Sequence, residues 1–468
     1  LITESDHFDV AVIGSGPGGY VAAIKASQLG LRVALIEKYA KFGGTCLHWG
    51  CIPTKALLLN AEIYERALNG KEFGILYKDI NLDFRLVKAR KDKLIKKMSM
   101  GTEFLMKKNK IATFRGIGRL TAPGTVQIEG EQTSTIRATN IVLATGSESK
   151  RIPGLDLEGP GILTNKEILD LESVPKSLII IGAGALGLEF ATIFSRFGSE
   201  VTVLEMLPRI LPTEDPEISQ EVLKILSRKR IKFATGVRLE QVTTQDGAVQ
   251  VQWTTAEGEK RDLNAEKLLI AAGRRPMTEE IGLEKLRVAM TKGFVTIDKN
   301  MQTNVPGIFA IGDIVPTPAL AHVASHEGIL AMEYIAGRNP HPINYDLVPN
   351  CIFSHPEVAR VGLTESQARE RGIEVLTSKF PFAAIGKASI LGENEGFVKL
   401  VSEKKHKQIL GVHLIGPHVT ELISEGAALS GLEATAADLS HLIHPHPTVS
   451  EGILEAAHAL YSGAAIHI

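Results

Sequence analysis

Cysteine is scarce here: three in 468 residues. That excludes a small secreted scaffold held together by disulfides. No apolar run approaches the roughly 18 residues needed to span a bilayer. Nor is there a surplus of positive charge. With 52 Lys and Arg against 53 Asp and Glu, the formal net charge is -1, which argues against a nucleic-acid binder. The leading stretch, Leu1 to Asp9, is short and polar and lacks a signal-peptide pattern. Because the chain starts at Leu1, two compartments are expected: a bacterial cytoplasm, or a mitochondrial matrix after removal of a transit peptide. What is present is ordinary globular composition, 44% hydrophobic and 22% charged. The length exceeds one core, so two to four domains are expected.

The chain repeats itself. From Asp9 to Lys38 it reads as strand, glycine turn, helix and second strand, and Leu178 to Met206 reads the same way. Aligned without gaps, Gly14, Gly16 and Gly19 fall on Gly182, Gly184 and Gly187, Gly30 falls on Gly198, and Glu37 falls on Glu205. Each copy is a β-rich run, a G-x-G-x-x-G turn and a helix, with an acid at the end of the next strand. That is a dinucleotide fingerprint in its proper context. The first glycine makes the turn, the second lets backbone approach a pyrophosphate, and the third lets helix pack on strand. The helix N-terminus then holds the anion. A single such motif is weak evidence. Two, each with its acid, imply electron transfer between two dinucleotides. The alternative is one working module and one decayed copy, against which both copies keep every glycine and the glutamate. In the second copy Glu205 is followed by Met206, Leu207 and Pro208, and Arg209 is the only cation nearby in sequence. A carboxylate there repels a 2'-phosphate, so NAD is expected rather than NADP.

Cys46 and Cys51 lie in Gly43-Gly44-Thr45-Cys46-Leu47-His48-Trp49-Gly50-Cys51-Ile52-Pro53-Thr54-Lys55. In a regular helix, residues five apart have Cα atoms about 8–9 Å apart, and a disulfide needs them within about 7 Å. A bond between these two cysteines therefore requires a broken helix, for which Gly50 and Pro53 are candidates. Such a bond, if accessible, suits redox exchange. A metal site is the alternative, with His48 adjacent but no second ligand pair in sequence. Cys351 stands alone and reads as a small apolar core residue. Lys55 is either a solvated helix lysine or a cation beside an electron-accepting ring. Glu189 is expected in the first turn of the second module's helix, where it would offset the dipole.

Near the end, His444-Pro445-His446-Pro447-Thr448 leads to Ser450 and Glu451, and the prolines exclude helix. A thiol–disulfide enzyme needs a base to ionise the incoming dithiol. His446 with Glu451 as its carboxylate partner fits that need. A purely structural proline-rich turn fits the same residues.

Taken together and in this order, these motifs resemble those of the pyridine-nucleotide disulfide oxidoreductases over the whole chain. The resemblance implies an α/β fold with two Rossmann-like domains, one for FAD and one for NAD, and a C-terminal α+β dimerisation domain. Residues 1–149 would form the FAD domain and 150–277 the NAD domain. Residues 278–347 would complete the FAD site, and 348–468 would form the interface domain. Gly14, Gly16, Gly18 and Gly19, with Glu37 and Lys38, would hold FAD, as would Gly44, Thr45 and Lys55 near the cysteines. Gly116 and the strand end Thr145-Gly146-Ser147 would join them. In the second FAD motif, Gly312 and Asp313 would bind the ribitol chain, and Leu320-Ala321-His322 would lie beside the flavin. The NAD site would use Gly182, Gly184, Gly187, Glu205, Val237 and Gly273. No metal is expected.

The implied activity is oxidation of dihydrolipoyl groups on the lipoyl domain of a 2-oxoacid dehydrogenase acyltransferase, with NAD as acceptor. Cys46, Cys51, His446 and Glu451 would carry it, with Lys55 and Glu189 in support, in a homodimer whose His446 serves the other subunit's disulfide. Neither a nucleic acid nor a membrane is an expected partner. Three departures stand out: Pro445 where alanine is usual, Trp49 between the cysteines, and Val323 after Leu320-Ala321-His322. Glutathione-type reductases are opposed by Glu205. Mercuric and large thioredoxin reductases are opposed by a tail without cysteines, and single-cysteine NADH oxidases by Cys51. A non-catalytic nucleotide-binding scaffold is the alternative from another class, opposed by the intact cysteines, His446 and Glu451.

Overall fold

The computed structural model describes residues 7–155, 157–245 and 247–468, so most of the polar leader lies outside the described residues. The chain forms two compact units. The first takes Leu1–Ala56, Arg85–Lys150 and Gly273–Tyr345, and the second takes Leu57–Phe84, Arg151–Ala272 and Asp346–Ile468. Residues 57–84, expected within the FAD domain, group with the second unit.

In the first unit, strands Ala112–Arg115, Val33–Glu37, His7–Ile13 and Ser134–Leu143 lie side by side and parallel. Ile308–Ala310 adds to Ser134–Leu143, and a meander of Ile117–Ala122 and Thr125–Glu129 extends the sheet antiparallel. The central strands are apolar on both faces, as a covered parallel sheet requires. Val10, Val12, Val33, Leu35 and Val142 face helices α1 (Pro17–Gln28) and α7 (Ala321–Ile335). The alternate residues Ala11, Ile13, Ala34, Ile36 and Ile141 join the meander's core on the other side. Helix α1 presents Ala22, Ala23 and Ala26, small residues that bring its axis close to the sheet. The unit also holds α2 (Gly44–Trp49), the first turns of α3 (Cys51–Leu68) and nearly all of α4 (Phe84–Lys108).

The second unit repeats the plan. Lys232–Thr235, Glu200–Glu205, Ser177–Ile181, Lys267–Ile270 and Ile162–Leu163 form a parallel sheet in that order. It carries α5 (Ala185–Arg196), α6 (Pro216–Arg228) and a three-stranded antiparallel sheet, Arg238–Gln245, Ala248–Thr254 and Lys260–Ala265. Further on, five antiparallel strands run in the order Asn350–Ile352, Glu357–Gly362, Ile409–Gly416, Phe397–Glu403, Val375–Pro381. Two long helices, α10 (Val419–Gly431) and α12 (Glu451–Ser462), pack on this sheet around Ile423, Leu429, Ile453 and Ala456. Three short helices accompany them: α8 (Glu365–Glu370), α9 (Gly386–Leu391) and α11 (Ala436–His441). The buried Lys399 ammonium ties this sheet to the Asp215 carboxylate at the N-cap of α6, at 3.0 Å.

Helix α1 and its copy α5 sit on their strands through the same contact. A Cβ on Gly19 would come 1.9 Å from the Gly14 carbonyl oxygen, and one on Gly187 would come 2.0 Å from that of Gly182. Both are backbone clashes that no rotamer relieves. Gly187→Ala is therefore expected to lower the unfolding free energy by about 1–3 kcal/mol or more, measured by denaturant titration of the purified protein. A change below about 0.5 kcal/mol would show that the helix can shift to admit a methyl group.

Candidate functional site

The two glycine turns are near copies in atomic detail. Gly14 and Gly182 have φ of 102° and 106°, in the region glycine favours. Each donates its N–H to the carbonyl of the residue before the strand-end glutamate, Ile36 or Leu204, at 2.8 Å. The glutamates then close the loops. Glu37 accepts from the Ser15 N–H at 2.9 Å and the Tyr39 N–H at 2.9 Å. Glu205 accepts from the Ala183 N–H at 2.7 Å and the Leu207 N–H at 2.9 Å. The glutamate carbonyls match as well: Glu37 accepts from the Gly116 N–H at 3.0 Å and Glu205 from the Val237 N–H at 3.1 Å. Gly16 and Gly184, the N-caps of α1 and α5, have nothing within 4 Å of an added Cβ. Each therefore leaves an open backbone surface where a pyrophosphate could approach a helix N-terminus, and both turns fit a dinucleotide.

Around the first turn, Gly44 packs its backbone on Gly16, where an added Cβ would lie 2.6 Å from the Gly16 Cα. Gly18 faces Ala324 of α7, 3.1 Å from a Cβ to the Ala324 carbonyl oxygen, so its local task is helix packing. The exposed Lys38 ammonium lies 5.0 Å from the Tyr39 ring centre. Around the second turn, a hollow of about 460 Å³ is lined by Ile152, Gly154, Met206, Val237 and Arg238. Arg238 corrects the sequence reading that Arg209 is the only cation near Glu205. Arg209 turns its guanidinium onto the Pro212 carbonyl at 2.6 Å, whereas Arg238 reaches the hollow and pairs with Glu240 at 2.6 Å. The distance of Arg238 from Glu205 in sequence hides this.

Cys46 and Cys51 are bonded to each other, with Cα atoms 4.7 Å apart. The helix breaks at Gly50, whose φ of -143° and ψ of -113° end α2 before α3 begins. Pro53 falls in the first turn of α3, where its missing N–H leaves no helical bond unmade. A side chain on Gly50 would press on the Thr45 carbonyl oxygen at 3.1 Å. Both cysteines are half-buried, as are Thr45 and Lys55, which lies one turn beyond Cys51. Trp49 stacks edge-on against Tyr39 with ring centres 4.7 Å apart.

The second FAD motif gathers a cluster that the sequence only partly reveals. The Ser147 hydroxyl donates to Asp313, and Arg274 donates to the Ser147 hydroxyl at 2.7 Å and to its carbonyl at 2.5 Å. Thr145 donates its hydroxyl to the Met277 carbonyl at 2.6 Å, and Gly146 accepts from the Met277 N–H at 2.9 Å. The Gly273 carbonyl takes the Lys150 N–H at 3.0 Å. Leu320 caps α7, with Ala321 and His322 in its first turn. Glu327 was missed. It is fully buried, accepts from the Gly312 N–H at 2.6 Å and takes the Tyr345 hydroxyl at 2.9 Å. Burial holds its carboxyl above the usual carboxylate range despite those donors. An acid among the apolar residues of α7 was the only signal.

Glu189 also departs from expectation. It is the fifth residue of α5, beyond the first turn, so dipole compensation is not its role. It is buried and accepts the Phe353 N–H at 3.0 Å.

His446 and Glu451 are paired: the ring Nδ1 lies 2.8 Å from Glu451 Oε1. Glu451 opens α12, and its other oxygen accepts the Thr448 N–H at 2.9 Å. Burial pushes the Glu451 carboxyl up, but the His446 ring and the Thr448 N–H outweigh it and hold it below the usual range. The His446 side chain is 77% exposed, so Nε2 can meet an outside proton donor.

Comparison with known proteins agrees with this geometry. Residues 8–328 match the family model described as pyridine nucleotide-disulphide oxidoreductase, and residues 348–457 match that family's dimerisation domain. The chain belongs to this family. The oxidoreductase is 46% identical to a dihydrolipoyl dehydrogenase of Bacillus subtilis, over 98% of this chain and 99% of the relative. It is 41% identical to a mitochondrial dihydrolipoyl dehydrogenase of Pisum sativum, over 99% and 93%. Among solved structures it resembles LpdA from Mycobacterium tuberculosis, with a TM-score of 0.89 at 26% identity over 96% of this chain and 99% of that one.

The open Gly184 position separates binding from folding. Its φ of -79° suits any residue. Gly184→Ala in the oxidoreductase is expected to leave unfolding free energy within about 0.5 kcal/mol. Its NADH affinity should fall by roughly tenfold or more, about 1.4 kcal/mol, in a fluorescence titration. Unchanged affinity would place the pyrophosphate elsewhere.

Proposed function

We propose that this oxidoreductase oxidises protein-bound dihydrolipoyl groups to lipoyl groups and reduces NAD, with FAD as its resident carrier. The observation that carries the reading is the Cys46–Cys51 bond at a helix break, in a chain with two dinucleotide turns. The enzyme acts as a homodimer through its dimerisation domain. Its second substrate is the lipoyl domain of a 2-oxoacid dehydrogenase acyltransferase, in the cytoplasm of a bacterium or in a mitochondrial matrix. The four-part division at residues 149, 277 and 347 serves this scheme, with 1–149 and 278–347 holding FAD and 150–277 holding NAD.

His446 of one subunit takes the proton of a substrate thiol at Nε2, and Glu451 holds the ring through Nδ1 and stabilises its charged form. The substrate thiolate attacks Cys46 Sγ. The Cys46–Cys51 bond breaks, and Cys51 leaves as a thiolate. His446, exposed to solvent, releases that proton and takes the second thiol's, and the second substrate thiolate attacks the substrate sulfur of the mixed disulfide. That step closes the substrate disulfide and releases the Cys46 thiolate. Two electrons now reside on the cysteine pair. FAD, which Gly14, Gly16, Glu37 and Asp313 would hold, would supply the two-electron acceptor for this pair, and NAD at Gly182, Gly184 and Glu205 would be the final acceptor. Lys55, one turn along α3 from Cys51, provides a cation for the charge that develops there. Glu189 and Glu327 position backbone, through Phe353 and Gly312 respectively.

The test is a steady-state assay of NAD reduction with dihydrolipoamide, glutathione and reduced thioredoxin. Dihydrolipoamide should be favoured, and a preference for either other thiol would replace this reading. His446→Gln is expected to slow dihydrolipoamide oxidation by about 10² to 10⁴. A mixed dimer of Cys46→Ser and His446→Gln subunits holds one site with both defects and one with neither. Its activity should return towards half that of the unmodified dimer. Confirmed subunit exchange without recovery would confine His446 to its own chain.

A further inference from the structure

Two residues before His446 lies a second imidazole–carboxylate pair with a different character. His444 Nε2 is 2.8 Å from Glu425 Oε1 on α10, and His444 Nδ1 is 3.2 Å from the Leu442 carbonyl oxygen. The His444 side chain is only 6% exposed, against 77% for His446. A neutral imidazole has one N–H and one acceptor nitrogen. With an oxygen acceptor at each nitrogen, a neutral His444 would set a lone pair against an oxygen on one side. Only the doubly protonated ring satisfies both. His446 has its carboxylate on one nitrogen alone, which is the arrangement of a base.

The sequence between the two rings makes His444 mechanically relevant. Pro445 joins them, and its ring fixes φ and removes an N–H. The Thr448 hydroxyl donates to the Pro445 carbonyl at 2.7 Å, and the Thr448 N–H goes to Glu451. The loop is thus tied to α10 at His444 and to the start of α12 at Thr448, with His446 between the ties. We propose that His444, held as an imidazolium between Glu425 and the Leu442 carbonyl, is a positioning residue that clamps the loop presenting His446 to the substrate thiol. This rests on the reading of His446 as the base.

The charged groups facing His444 are Glu425 on α10 and Glu451 at the start of α12. The Glu425 hydrogen bond raises the His444 pKa above its ordinary value. Burial opposes it, and the Glu425 charge, the Leu442 carbonyl and the Glu451 charge add to the rise. A pKa raised on folding gives a clamp that is complete below the unfolded value of about 6.5. The clamp weakens as pH rises through the higher folded value. The base needs the opposite, since His446 must be neutral to take a proton. The alkaline edge of turnover is then set by His444.

The experiment uses the FAD-loaded dimer and the variants Glu425→Gln and His444→Gln. Both keep side-chain size close to the original and remove the charged pair. Misplacement of a catalytic group by 1 Å can cost about 10²-fold, so kcat for dihydrolipoamide oxidation is expected to fall by about 10- to 100-fold. KM should stay within about twofold, since neither residue is assigned to substrate binding. In Glu425→Gln the alkaline edge of the kcat profile should move down, towards the ordinary histidine range. Glu425→Asp, which keeps the charge, should restore part of the lost rate and return the edge towards its original place. NADH oxidation by ferricyanide, which needs no proton from a dithiol, should be unchanged in all three.

An unmoved alkaline edge in Glu425→Gln overturns the clamp, as does a kcat within twofold in both glutamine variants. Loss of the folded dimer in both also counts against it, because a clamp on one loop leaves the fold intact. If His446→Gln itself retains full turnover, the reading of the base fails. If His446→Gln is inactive and Glu425→Gln is not, only the clamp fails.

Discussion

The contact on which each unit is built is a missing methyl group. Gly19 lies against the Gly14 carbonyl and Gly187 against that of Gly182, so each helix sits close over the strand that feeds it. That approach aims the helix N-terminus at the open side of the turn and brings the strand-end glutamate within reach of the loop N–H groups. A longer helix–strand distance would leave Glu37 and Glu205 as buried carboxylates without donors, which is costly. The glycine contact, the glutamate ties and the open caps at Gly16 and Gly184 therefore form one device, present twice.

Much of this was legible in sequence because it is local. The glycine spacing, the β-rich runs and the acids all lie within about thirty residues, and they fold as read. The cysteine pair was legible for the opposite reason. A regular helix forbids the bond, so the sequence had to contain a break, and the structure places it at Gly50. Of the two breakers considered, only Gly50 interrupts the backbone; Pro53 lies within the first turn of the next helix.

What the sequence hid depends on distant strands meeting. Gly116 and Val237 make the same N–H bond to a glutamate carbonyl, yet chain segments of different length precede them, so no ungapped repeat reveals the equivalence. Arg238 reaches the hollow beside Met206 only after an intervening helix and strand return it there. Glu327 looks like any acid in a helix until the Gly312 N–H and the Tyr345 hydroxyl are brought to it. Glu189 was misplaced by a single residue of helix boundary. Such a slip changes its meaning from charge beside a dipole to a tie on the Phe353 N–H.

The departure at Trp49 has a use of its own. The chain has two tryptophans, Trp49 and Trp253. The first lies in the first unit, beside the cysteine pair and against Tyr39. The second lies in the second unit, in the core beneath the three-stranded antiparallel sheet. Each unit therefore carries its own intrinsic fluorophore in a distinct environment, one near an electron-accepting sulfur pair that can quench emission and one among aliphatic side chains. Replacing either indole leaves a spectroscopic probe confined to the other unit, so the order in which the two halves melt can be read without adding a label.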